Sequence, residues 1–228
     1  MLCEDILGPN QNRMKRTMKN NFLSHYGMLG MRWGVRKERY SDEKSSGIRL
    51  EKGSTISRVA SAGDEKIGGM KYAAFKPEDI EEYEFALGTS GKFSFKYTLK
   101  ETLISPNEKR QVDAFLETVK ESSVKKVAAS LKAKDKFASI KDIEKELAQA
   151  VSGNTKSRIR TYDKFMQLLY SKELEPVRQA YFTKLSKEGY NMIIDSSDKG
   201  VVSDAPIIIF SGSKSLQFTS KEKINPDD

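Results

Sequence analysis

Lys92-Phe93-Ser94-Phe95-Lys96-Tyr97-Thr98-Leu99 alternates polar and apolar residues without a break. A period of two puts Phe93, Phe95, Tyr97 and Leu99 on one face, the pattern of a strand buried on one side. The aromatic stripe on that face reads as core and not as a base-stacking platform. Upstream, residues 47–50 and 54–60 read as strands separated by the turn Lys52-Gly53, and residues 70–75 form a third short apolar run after Gly68-Gly69. Pro77-Glu78-Asp79 then opens a short helix carrying Ile80, Tyr83 and Leu87 at helical spacing.

Downstream of the strand the period changes. From Ser105-Pro106 a stripe of Val112, Phe115, Leu116 and Val119 predicts a helix, and Ser139-Ile140-Lys141-Asp142 reads as a capping box that starts another with Ile143 and Leu147 inward. A third helix is expected over residues 155–169, with Phe165, Leu168 and Leu169 inward. A fourth opens at Glu175-Pro176 and stops at Gly189. Residues 190–195 and 206–210 are short apolar strands, and the segment after Phe218 is polar and expected to fray. Strands, then helices, then strands predict an α+β fold: one domain over residues 47–218 with short strands flanking a helical middle, a flexible basic arm over residues 1–46, and a polar tail over residues 219–228.

The 228 residues are 37% apolar and 32% charged, enough for one ordinary core with an appendage. No apolar run approaches the roughly 18 residues of a membrane span. The N-terminus carries Glu4 and Asp5 and lacks the apolar stretch of a secretory signal, so synthesis in a cytoplasm is expected. Cys3 is the single cysteine, which excludes an internal disulfide and a cysteine-based zinc site. His25 is the single histidine. A His-containing metal cluster, a Ser-His-Asp triad or a Cys-His pair therefore needs the N-terminal peptide to fold back onto the body.

That histidine begins His25-Tyr26-Gly27-Met28-Leu29-Gly30-Met31-Arg32-Trp33-Gly34, which also holds the only tryptophan. Three glycines leave the backbone free to turn, while Tyr26, Met28, Met31 and Trp33 supply adhesive apolar surface. The alternative is a loop whose Trp33 plugs a core. The order His-Tyr-Gly-x-x-Gly-Met-x-Trp-Gly, with the basic flank Val35-Arg36-Lys37, resembles a motif of head-associated proteins encoded by tailed bacteriophages and prophages, over residues 22–37. The resemblance implies a virion protein, structural or internal to the head, made in the host cytoplasm and docked on a portal or capsid protein. His25, Tyr26, Gly27, Met28, Gly30, Met31, Arg32, Trp33 and Gly34 would be the docking residues.

The chain's net charge is +8, and residues 1–47 hold nine Lys/Arg against five Asp/Glu, a net of +4. Arg13, Lys15, Arg16 and Lys19 are candidates for non-specific contact with packaged DNA through phosphate neutralisation. An acidic protein surface, or plain solvation of a leader, suits the same charges. The lysines of the helical middle, among them Lys125, Lys126 and Lys132, read as solvated faces with helix-favouring composition. No membrane partner is expected.

Residues 47–218 also resemble the ADP-ribosyltransferase-like fold. Lys52-Gly53-Ser54-Thr55-Ile56-Ser57-Arg58-Val59 looks like that family's first motif, with Arg58 in the position that holds the NAD phosphates. Lys71-Tyr72-Ala73-Ala74-Phe75 falls at the second, and residues 188–195 and 206–210 look like the closing strands. Ala73 and Ala74 stand where a hydroxyl is usual. Pro206 occupies the place of the catalytic glutamate, and Asp204 is the nearest carboxylate. Without a placed carboxylate, an oxocarbenium-like transition state loses on the order of 3 kcal/mol or more. The resemblance therefore implies a non-catalytic scaffold with no cofactor; the alternative is a head-packaged or host-directed effector that uses NAD, with Arg58 and Asp204 as its catalytic candidates. Asp195, Asp198 and Asp204 match no calcium-loop spacing, so no metal is expected.

Overall fold

A computed structural model describes residues 47–60, 68–75, 93–133, 138–195 and 206–224. Along them the order is β1 (Arg49–Leu50), β2 (Thr55–Ala60), β3 (Lys71–Ala73), β4 (Phe93–Leu99), β5 (Leu103–Ile104), α1 (Glu108–Ser122), α2 (Val124–Lys132) and α3 (Ile140–Val151). There follow α4 (Thr155–Gln167), a 3-10 turn (Lys172–Leu174), α5 (Glu175–Lys187), β6 (Met192–Ile194), β7 (Ile207–Ile209), α6 (Gly212–Ser215) and β8 (Leu216–Lys223). The fold is mixed α+β with a helical middle between strands. The short helix expected from Pro77 lies outside the described residues.

The alternating segment is β4, at the centre of the antiparallel order β2-β4-β8. Phe95, Tyr97 and Leu99 are at most 1% exposed and belong to the core, while Phe93, at the start of the strand, is half-buried against it. A second antiparallel sheet has the order β3-β7-β6, and β1 pairs with β5. Ser57 and Ala74 exchange both backbone hydrogen bonds at 2.8 Å, which stitches β2 to the end of β3 and joins the two larger sheets. Each residue of β3, β6 and β7 is buried. Tyr72, Ile193 and Ile208 pack into the core under the helices, whereas Ala73, Met192, Ile207 and Ile209 pack into a second core with Ile56, Phe95, Tyr97 and Leu99.

The helices start and stop where local chemistry requires. Asn107 caps α1 by accepting from the Arg110 amide at 2.8 Å, one residue beyond the Pro106 start expected from the sequence. Ser139 Oγ accepts from the Asp142 amide at 3.1 Å and donates to the Asp142 carboxylate at 2.6 Å, a variant of the capping box in which the two side chains meet. Gly189, at φ +91°, ends α5, and the Tyr190 amide returns to the Leu185 carbonyl.

Three features differ from the sequence reading. Ser123, at φ +76°, breaks the helical middle between α1 and α2 where no glycine or proline marks a stop. Leu168 is only half-buried, because α4 ends at Gln167 and the chain turns there. The polar segment after Phe218 does not fray: β8 continues to Lys223, paired with β4 from Leu216↔Leu99 to Lys223↔Phe93. Backbone pairing holds it where side-chain burial is absent, with Lys96 bonded to Glu222 at 2.7 Å.

Asn191 joins the small β1-β5 pair to the buried sheet. Its Oδ1 accepts from the Ile104 amide at 2.7 Å, its Nδ2 donates to the Thr102 carbonyl at 2.9 Å, its own amide donates to Ile104 O, and its carbonyl accepts from Phe210. Gly47 lies close by in the chain's path: Ile48 exchanges bonds with Ser105, and a Cβ at position 47 would overlap the Ser105 carbonyl. Asn191→Ala leaves a half-buried donor and acceptor without partners, about 1–3 kcal/mol each. The variant is expected to unfold about 5 °C or more below the parent in a thermal melt, and the Ile104 amide to exchange faster with deuterium.

Candidate functional site

Of the sequence candidates, Arg58 lies on a described element. Arg13, Lys15, Arg16, Lys19, the stretch from His25 to Gly34, and Asp204 fall outside the described residues. Arg58 projects from β2 opposite Phe95 of β4 and is half-buried. Its guanidinium lies 4.1 Å from the centre of the Tyr72 ring, a cation–π geometry, and Nη1 approaches the Tyr72 carbonyl at 3.5 Å. Tyr72 is held in turn, since its hydroxyl donates to the Val59 carbonyl at 2.6 Å. The arginine thus rests on a ring that β2 itself anchors. Tyr72 had no signal in the sequence, because its meeting with Arg58 comes from the Ser57↔Ala74 bridge between strands distant in sequence.

Around this point the surroundings are apolar. Ala73 and Ala74 are each 2% exposed and present buried methyl groups where the transferase resemblance calls for a hydroxyl. On the same face of the sheet, Lys221 of β8 lies 4.1 Å from the centre of the Phe93 ring, so a cation flanks the row Arg58-Phe95-Lys221 at each end. Among the described residues no group of three or more His, Cys, Asp or Glu is placed to hold a metal ion. No described helix is long and apolar enough to cross a membrane.

The strongest electrostatics sit elsewhere, between α1 and α5. Arg110 donates to both oxygens of Glu117, at 2.8 and 3.2 Å, and to both oxygens of Glu188, one at 2.8 Å. Lys184 bonds Glu121 at 2.7 Å and reaches Glu117 at 3.5 Å. Hydrogen bonds from Arg110 hold Glu117 and Glu188 below the usual carboxylate range, and Glu188 with Glu117 raises the guanidinium in return. This is a clamp between helices, with its valences filled. Another face of α5 lines an open depression of about 350 Å³ with Gln179, Phe182, Thr183, Ser186, Lys187 and Phe210. The Phe182 and Phe210 rings stack there at 4.2 Å.

Comparison with known proteins finds one family model, described as a family of unknown function (DUF7211), matching residues 15–40. No curated protein and no solved structure matches the chain. The matched interval contains the whole of residues 22–37 and three of the four basic candidates, Lys15, Arg16 and Lys19.

The clamp gives a pH-dependent prediction. A carboxylate with a lowered folded pKa contributes stability that is present above its unfolded value and is lost as pH falls through the folded one. Glu188→Gln is expected to lower the unfolding midpoint at pH 7 by about 2–4 °C, for a partly exposed pair worth about 1 kcal/mol. Melts at a pH low enough to protonate Glu188 in the folded parent, below its lowered folded pKa, should bring variant and parent together, since both side chains are then neutral. A gap of equal size at both pH values would assign the loss to packing and not to charge.

Proposed function

We propose that the chain is a head-associated virion protein of a tailed bacteriophage, docked on a portal or capsid protein through residues 25–34. The observation that carries this reading is the order of uncommon residues from His25 to Gly34 and its resemblance to the phage motif; the family model of unknown function covers the same stretch, residues 15–40, and assigns it no role. In this reading Tyr26, Met28, Met31 and Trp33 are the anchors, because large apolar side chains carry most of an interface's energy. Arg32 and Arg36 fix the orientation through planar, multidentate hydrogen bonding. Ordering such a peptide costs conformational entropy, so each site binds modestly and many copies on a symmetric particle compensate.

The body serves as a scaffold in this reading and not as a transferase. Arg58 lies on Tyr72, and the two buried alanine methyl groups give a nicotinamide ribose nothing to bond. The effector alternative needs Arg58 to leave that ring and needs a carboxylate near residue 204.

Mass spectrometry of purified, nuclease-treated particles tests the docking. The parent chain is expected in the particle, and a His25→Ala, Trp33→Ala double variant is expected to be absent or depleted about tenfold or more, as for the loss of a hot-spot anchor. Equal incorporation of both chains, or absence of both, would overturn the reading.

A further inference from the structure

Residues 123–160 hold ten Lys/Arg against four Asp/Glu, a net of +6 in 38 residues of a chain whose total is +8. The described residues of this stretch, 123–133 and 138–160, hold eight Lys/Arg against three Asp/Glu and fold as α2, α3 and the start of α4, consecutive helices packed across α1. One face of each is core: Val127, Ala128 and Leu131 on α2, Ile143 and Leu147 on α3, Tyr162 and Phe165 on α4. The cations are therefore driven to the opposite face.

Pairing then separates arginine from lysine. Arg158 bonds Asp113 and Arg160 bonds Glu146 at 3.5 Å, both linking neighbouring helices. Lys125, Lys126, Lys141, Lys145 and Lys156 are exposed and make no ion pair with described residues. Helix stability does not account for Lys125, Lys126 and Lys156. Lys125 and Lys126 lie in the first turn of α2 and Lys156 in the first turn of α4, where the macrodipole opposes a cation, and neither turn holds an acid. Between the lysines the exposed positions include Ala129, Ala148 and Gln149, and the acids on this side belong to α3, where Asp142 is exposed and Glu144 half-buried, so the excess of cations lies on α2 and α4. Apart from Ile140, no large apolar side chain on these helices is exposed. A protein partner would call for apolar or aromatic anchors, and a membrane surface for inserted ones.

We infer that the outer face of α2, α3 and α4 binds the phosphate backbone of duplex DNA without sequence preference. Lysine suits this task as a mobile point charge, and the face offers no planar side chains set to read base edges. α3 is about 18 Å long, a length of duplex that presents roughly ten phosphates. The inference rests on charge placement in the body and is independent of the proposed docking of the arm.

The test is fluorescence anisotropy of the full chain with a labelled duplex of random sequence, titrated over salt. The variant Lys125→Gln, Lys126→Gln, Lys156→Gln is compared with the parent, and again in a chain already carrying Arg13→Gln, Lys15→Gln, Arg16→Gln and Lys19→Gln. In both backgrounds the triple substitution is expected to weaken binding about tenfold or more at 0.1 M salt and to reduce the slope of log K against log salt by about 3. The side chains are exposed, so the thermal midpoint serves as the control for folding. An unchanged slope, no binding by the parent at about 50 mM salt, or equally tight binding of polyglutamate of matched charge would each overturn the inference.

Discussion

A three-stranded sheet buried on both faces is the constraint on which the rest of the body depends. β7 runs Ile207-Ile208-Ile209 between β3 and β6, and alternate residues enter different cores. Ile208 is packed from the helical side and its two neighbours from the β4 side. A one-residue slip would exchange these two sets and misfit both cores at once, so register is specified twice. The Ser57↔Ala74 bridge and the Asn191 side chain then fix where β2 and the β1-β5 pair meet this partition. Arg58 reaches Tyr72 as a consequence of that seam.

What the sequence discloses follows from how each element earns its stability. β4 was readable because one buried face imposes strict alternation, and β7 because two buried faces impose an unbroken apolar run. β8 was not readable. Its sequence Leu-Gln-Phe-Thr-Ser-Lys-Glu-Lys buries little beyond Leu216, and it is held by backbone bonds to β4 that leave no hydrophobic period. β1 and β5, at two residues each, are too short for any period. The break at Ser123 is hidden for another reason, since a positive φ usually advertises itself through glycine or asparagine and here falls on serine.

The candidate sites divide in the same way. The His25–Trp33 constellation stands out by composition, since uncommon residues in a fixed order need no fold to be noticed. Arg58 could be singled out by its strand motif, but not its ring partner, because cross-strand neighbours depend on a register that local patterns do not contain. The lysines of α2 to α4 could be counted from the sequence and still read as solvated faces. What separates Lys125, Lys126 and Lys156 from ordinary surface charge is that Asp113, Glu121 and Glu146 are bonded to cations on other helices, leaving these exposed lysines without an ion pair among the described residues. Only the packing of the helices shows which charges neutralise one another.

The two proposed interactions reinforce each other if both operate. The arm joins the body at Gly47, where Ile48 and Ser105 exchange hydrogen bonds, and Trp33 lies 14 residues before that point. A chain of that length spans at most about 50 Å. A docked peptide would therefore hold Gly47, where the body begins, within that radius of its site, at an effective concentration in the millimolar range for a short linker. Phosphate contacts that are weak at physiological salt in free solution would be substantially occupied under that tether. The body then would have no need of high intrinsic affinity for nucleic acid, which fits exposed single-point lysine charges better than a site built for tight binding. In the proposed arrangement specificity of location would reside in the apolar peptide, and the helices would contribute charge without sequence recognition.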